Sequence, residues 1–331
     1  MNLVRFFIIP VAVFLFVSCA SIQDSNINLR LDKSNCFQDY YYEYEEDQIP
    51  PPLHTITIPA NLEQNFSKKS INIANAMGIL ELMERYLQSM EELYANPGIE
   101  QRIRHLELYQ KLFQRIGFAE LEISSESAEL ECEEYRADQI SKYLKAKEDN
   151  TNTKLTVASI VVGALGAVGT TIFFDNGKTP EYIALSAGIL GATFGVMILV
   201  NKKKVTFEHE RNHLQEIWEG PATSKYFPAS VWYYLNYVYP EKEEQVSKRE
   251  EIIEKWISLG LFEDLKPKDR EEMIEKFFGN GGVYYSDELE ERAGMYDQIV
   301  SQINLMMQDL KTLSGELEIL QESKFSKFGK N

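Results

Sequence analysis

The sequence predicts an all-α protein organised around a long helical hairpin. The first observation is a pair of uncharged apolar runs, Leu155 to Phe174 and Tyr182 to Val200. Each is about 20 residues, which as a helix matches the ~30 Å hydrocarbon layer of a bilayer. A polar turn from Asp175 to Glu181 joins them. The second is the lack of any strong helix breaker between Ala128 and Phe174. The third is a C-terminal seam of regular period. Tyr296, Ile303, Leu310 and Leu317 occupy one heptad position, and Ile299, Met306, Leu313 and Leu320 the other. Alternating steps of three and four mark a coiled coil or a long bundle helix. Period alone leaves open whether the partner is this chain or a second subunit.

Residues 1–18 read as a signal peptide. One positive charge near Met1 precedes an apolar core, Phe6 to Val17, too short for a good span. Residues 19–66 form a Tyr- and Pro-rich tether, with an acidic aromatic run from Tyr40 to Asp47 and then Pro50-Pro51-Pro52. Its tyrosines are expected to pack on the protein's own helices. His54 to Pro59 alternates, as a short edge strand would.

Residues 67–150 read as a helical region. Ile73, Leu80, Leu87 and Tyr94, with Ala76, Met83 and Met90 between them, predict one helix from about Ser70, ended by Asn96-Pro97-Gly98. A second helix, Ile99 to Ile116, would turn Ile103, Leu106, Tyr109, Phe113 and Ile116 inward and stop at Gly117. A third, capped by Ser124 or Ser125, would bury Ala128, Cys132, Tyr135, Ile140 and Leu144 and run on to Phe174, loosened at Asp149 to Asn152. The hairpin itself is 151–204, and its return arm is predicted to stay helical to Trp218, before Gly220-Pro221. Region 205–284 carries an aromatic segment, Tyr226 to Tyr239, that suits either an interfacial belt or a core. Helices are expected from Glu243 to Leu259 and from Pro267, at home in a first turn, to Phe278, then a turn at Asn280-Gly281-Gly282. The heptad helix and a tail fill 285–331.

The chain has 331 residues, is 44% hydrophobic and 26% charged, and carries a formal charge of -17. Such acidity excludes nucleic acid as a partner, because neutralising phosphates needs clustered Lys and Arg. The basic residues flanking the hairpin, Lys154 and Lys202-Lys203-Lys204, read as headgroup anchors. Of three cysteines, Cys36 and Cys132 remain once Cys19 is set aside. In an oxidising compartment a disulfide between them and a pair of free thiols both stay open.

Phe16-Val17-Ser18-Cys19 resembles a bacterial lipoprotein processing box. The resemblance implies a lipid on Cys19 and cleavage before it, and several acyl chains anchor stably. Small residues pattern the hairpin: Ser159 to Gly163, Gly163-Gly166-Gly169 at steps of three, Gly188, and Gly191 to Gly195. Close backbone approach is what drives helix association in lipid. With Cys19, this resembles the glycine-zipper lipoproteins of the bacterial outer membrane. That implies a hairpin that oligomerises in the outer membrane, facing the periplasm, with the inner membrane as the alternative. The large flanking helical regions depart from that family.

His209-Glu210-Arg211-Asn212-His213 matches H-E-x-x-H. On a helix its two His would share a face and could ligate zinc. Charged Arg211 and the lack of a framed third ligand argue instead for a solvated stretch. No catalytic residue, cofactor or metal is assigned, and the protein is read as a non-enzyme. The expected function is a lipid-anchored scaffold or a subunit of a membrane or secretion assembly. A helical pore former and, more remotely, a zinc metalloprotease are the alternatives.

Overall fold

The structure is a computed structural model that describes residues 36, 41–172, 179–240 and 245–328; the side chains of 165–188 and 324–328 lie outside the description. The protein is mostly helical. Ten α-helices and one two-stranded ribbon are present among the described residues: α1 (Ala60–Asn65), α2 (Lys68–Ala76), α3 (Leu80–Ala95), α4 (Ile99–Ile172), α5 (Thr179–Val200), β1 (Lys204–Glu208), α6 (His213–Glu219), α7 (Ala229–Asn236), α8 (Lys248–Ser258), α9 (Pro267–Phe278), β2 (Gly281–Tyr285) and α10 (Ser286–Phe328). The chain divides into two compact units, both discontinuous in sequence. One holds 135–208 and 281–293; the other holds 35–134, 209–280 and 294–331.

In the larger unit the single helix expected from Ser70 is two. Gly78 stands in the left-handed region at φ 65°. The Ile79 N–H returns to the Ala74 carbonyl (3.0 Å) and the Gly78 N–H to Asn75 (2.8 Å). This is the Schellman ending that glycine favours. Conversely, the stop expected at Gly117 does not occur. Helix α4 runs through it because a buried seam continues on both sides. Within this unit the seam is His105, Ile116, Ile123 and Leu130, with Leu112, Ala119, Glu126 and Glu133 completing it. Ile103, Leu106, Ala128 and Tyr135, expected inside, are exposed instead. Ile116, Ile140 and Leu144 are buried as expected, so the predicted face holds in part; it took in exposed residues because aromatic and aliphatic side chains also line the outer side.

Helix α10 buries the seam read from the sequence; Tyr296, Ile299, Ile303, Met306 and Leu313 are fully inaccessible. Ser127 on α4 meets Asn304 on α10 at 3.3 Å. Its heptad partner is therefore found within the chain. Helix α7 places Trp232, Tyr233 and Tyr234 in the core rather than in a belt. Helix α2 packs on α7, α8 on α7 and α6, and α9 on α6. Asn72 and Asn75 are buried beside Tyr233, whose hydroxyl donates to Asn72 Oδ1 (2.9 Å) and accepts from Asn75 Nδ2 (3.0 Å). The tether's described residues lie along this body. Leu53 is buried, and the Tyr42 N–H reaches the Lys225 carbonyl at 2.9 Å. The strand expected from His54 is a 3-10 turn, Leu53–Thr55, and extended chain. Helix α8 begins later than predicted, at the capping box of Ser247 and Glu250, and α9 spans the predicted Pro267 to Phe278.

In the smaller unit α4 continues through Asp149 to Asn152 without loosening. The return arm does not stay helical to Trp218. It ends at Val200, and Lys204–Glu208 becomes strand β1 with Val205 and Phe207 buried. The β-branched and aromatic alternation of Val205-Thr206-Phe207 suits a half-buried strand. It pairs antiparallel with β2, Val205 opposite Tyr284 and Glu208 opposite Gly281. A Cβ on Gly281 would lie 2.2 Å from the Phe207 carbonyl oxygen, and its φ is 96°. Glu148 ties the arms to the ribbon, accepting from the Lys203 N–H at 2.6 Å and from the Ser286 hydroxyl at 3.2 Å. Among the described residues no helix is long and apolar enough to cross a membrane.

Candidate functional site

The densest chemistry lies in the larger unit, where α4 meets the start of α6. Glu126, Glu129 and Glu133 sit at steps of three and four on α4, and all three are buried. His213 opens α6 and is completely inaccessible. Its position is set by Asn212, whose amide donates to the carbonyls of Phe277 (3.0 Å) and Gly279 (2.9 Å). That fastens α6 to the end of α9. Arg211, in the link after β1, turns inward with it.

The His213 Nε2 lies 3.3 Å from Glu126 Oε1 and 3.4 Å from Glu129 Oε1. Arg211 Nε lies 3.0 Å from Glu129 Oε1. One turn into α6, Glu216 accepts from the Lys225 N–H (2.8 Å) and from the Ser224 hydroxyl. Ser224 Oγ in turn accepts the Phe227 N–H at 2.7 Å. The Tyr226 and Phe227 rings each stand 5.2 Å from the His213 ring. Arg211 lies 5.2 Å from the Tyr41 ring and 5.1 Å from that of Tyr226, within cation–π range.

Four carboxyl groups thus share a buried space with one guanidinium and one imidazole. Burying unpaired charge is expensive, so the cluster resolves the excess by protonation. Burial pushes Glu126 up to about 8, against the pull of Arg211. Burial likewise raises Glu129, against His213 and Arg211. It drives His213 down to about 4, against the attraction of Glu129. At neutral pH the cluster holds a neutral Glu126 and a neutral His213, with the Arg211 guanidinium beside Glu129. The arrangement stores a proton away from water. His213 Nδ1 is buried with no hydrogen-bond partner among the described residues.

The H-E-x-x-H stretch does not lie on a helix. His209 and Glu210 precede the helix that His213 begins, and Glu210 is exposed. The one-turn spacing that would point both His at a metal is absent because the stretch turns out of β1. Among the described residues no group of three or more His, Cys, Asp or Glu is arranged to hold a metal ion. Cys36 and Cys132 are joined by a disulfide, with Cα atoms 5.4 Å apart. Lys202 pairs with Asp287 at 2.7 Å, Lys204 enters β1, and Lys154 is exposed on α4. The Ser159 hydroxyl turns back onto the Thr156 carbonyl of its own helix at 2.8 Å. A Cβ at Gly163, Gly191 or Gly195 would meet open space. Cys19 lies outside the described residues, as do the surroundings of Gly166, Gly169 and Gly188.

Sequence reasoning missed Glu126, Glu129 and Glu216. A signal was present: Glu126 and Glu133 occupy apolar positions of the α4 heptad that also carries Leu112, Ala119 and Ile140. Comparison with protein-family models, with characterised proteins and with solved structures finds no match to this chain.

Proposed function

We propose that this protein is a lipid-anchored, helical envelope scaffold. Cys19 carries the lipid, and the apolar hairpin enters the outer membrane and associates there with other copies. The larger unit, stapled by its disulfide and closed by α10, stands as the periplasmic platform for an assembly partner. The observation that carries the reading is uncovered apolar surface on both arms. Val157, Ile160 and Val161 on α4 are exposed, as are Ile189, Val196, Leu199 and Val200 on α5, with Leu199 79% accessible. Contiguous apolar surface left bare marks a protein or membrane contact. The open Cβ positions of Gly163, Gly191 and Gly195 leave room for a neighbouring backbone. A hairpin that dips into lipid and packs on its own copies needs no single helix that crosses the full hydrocarbon layer.

The test is mild detergent extraction of the full chain, followed by mass measurement of the particle and of its N-terminal peptide. A diacylglyceryl adduct on Cys19 and a multimeric particle are expected. An unlipidated monomer that leaves the membrane in plain buffer would sink the proposal. Replacing Val196 and Leu199 together by Glu should disperse the multimer while leaving the helical signal intact.

A further inference from the structure

We propose that the Cys36–Cys132 disulfide latches a tyrosine strap, Tyr41 to Tyr44, over the buried Glu126–Glu129–His213 cluster, and that a dithiol reductant releases it. Cys132 sits on α4 directly before Glu133 and one turn after Glu129. The covalent staple therefore falls on the stretch of helix that supplies the carboxyl groups. Its other end, Cys36, precedes Tyr41 by five residues in the chain.

The strap grips one short stretch, 224–227. The Tyr42 N–H donates to the Lys225 carbonyl at 2.9 Å. The Tyr44 hydroxyl donates to the Phe227 carbonyl and accepts from the Ser224 N–H, both at 3.1 Å. The Tyr41 ring stands 6.0 Å from that of Tyr226 and over the Arg211 guanidinium. That same stretch holds the cluster: Ser224 and Lys225 donate to Glu216, and the Tyr226 and Phe227 rings flank His213. The strap thus lies outermost, 224–227 beneath it, and the imidazole innermost. Without the staple it is retained by hydrogen bonds and a partly exposed ring, Tyr41 being 54% accessible.

Reduction follows ordinary thiol–disulfide exchange. One thiolate of the dithiol attacks a cysteine sulfur and the S–S bond breaks. The second thiolate closes a cyclic disulfide on the reagent, and Cys36 and Cys132 leave as two protonated thiols. Losing the strap removes its three hydrogen bonds to 224–227, and as that stretch lifts the groups facing water are Glu126, Glu129 and Glu133 from α4, Arg211 from the link, Glu216 from α6, Tyr41 and Tyr44 from the strap, and Tyr226. Burial is the largest influence on both Glu126 and His213. Wetting the cluster returns each toward its ordinary value.

The experiment follows the His213 imidazole by NMR in the full chain, with and without dithiothreitol, and uses His213→Gln to identify its signal. In the oxidised protein the ring is expected to stay neutral down to about pH 4. After reduction it should titrate near roughly 6.5, with unchanged helical circular dichroism. An imidazole titration that does not move on reduction overturns the proposal. So does a collapse of the helical signal, because the disulfide would then support the whole unit rather than a strap. Cys36→Ser should give the reduced profile without any reductant; the oxidised profile in that variant overturns the proposal equally.

Discussion

Glu126 is the residue whose neighbours most constrain its behaviour. Its folded value, about 8, lies above the ordinary 4.5, so its contribution to stability is complete below pH 4.5 and is lost as pH rises toward 8. Glu129 shifts in the same direction. His213 does the opposite: with a folded value of about 4 against 6.5, its contribution is complete above pH 6.5 and is lost as pH falls toward 4. Where these windows overlap, from pH 4.5 to 6.5, the slopes of Glu126 and His213 oppose one another. From pH 6.5 to 8 Glu126 acts without that opposition, costing on the order of 2 kcal/mol at 1.36 kcal/mol per pH unit. Denaturant titrations of Glu126→Gln should show this part of the alkaline slope gone, with the acid-side loss retained. At Gly281, Ala should cost about 1–3 kcal/mol, because the backbone sits at positive φ and the Phe207 carbonyl occupies the Cβ position. Loss of ribbon amide protection in hydrogen exchange would report it locally.

At the scale of elements, α4 and α10 show what a sequence discloses. The seam of α10 was legible because its apolar residues are uninterrupted and its outer face is polar. The α4 seam has the same seven-residue period, but Glu126 and Glu133 fall within it while Ile103, Leu106 and Leu121 line the solvent side. Counting apolar residues therefore mixed the two faces, placing Ile116 and Leu144 inside correctly but Ile103 and Leu106 wrongly with them. Ile299→Ala should cost about 2–5 kcal/mol as a fully buried truncation, whereas Ile103→Ala should stay within about 0.5 kcal/mol of the parent. Gly117 misled for a related reason: an internal helical glycine costs only about 0.5–1 kcal/mol relative to Ala, less than a continued seam returns. Chemical denaturation should find Gly117→Ala stabilising by that amount and Gly78→Ala destabilising, since of these two only Gly78 holds a left-handed backbone. Strands β1 and β2 leave little mark on the sequence because each is five residues long and β1 follows closely on a long helical pattern. Of the candidate site's charged and imidazole groups, His213 and Arg211 were named from sequence, within a stretch read as solvated and only remotely as a metal site; both are buried. Their partners come from α4, some 80 residues away in sequence, and no local pattern joins them.

For the whole molecule, the order of the two units along the chain has its own consequence. The larger unit draws on 35–134, 209–280 and 294–331, and the smaller on the stretches between. A chain emerging from a ribosome or a translocation channel delivers α4 long before α10. The α4 seam waits, apolar, until nearly the last residues arrive, so closure of either core is a late event with high contact order. Fragments ending before 294 should therefore be aggregation-prone and quickly digested. Co-expressed halves cut in an exposed loop should recover the complete structure by finding each other. Until its last helix arrives such a polypeptide stays unfinished, and an escort that shields greasy helix until termination would have a long interval in which to act.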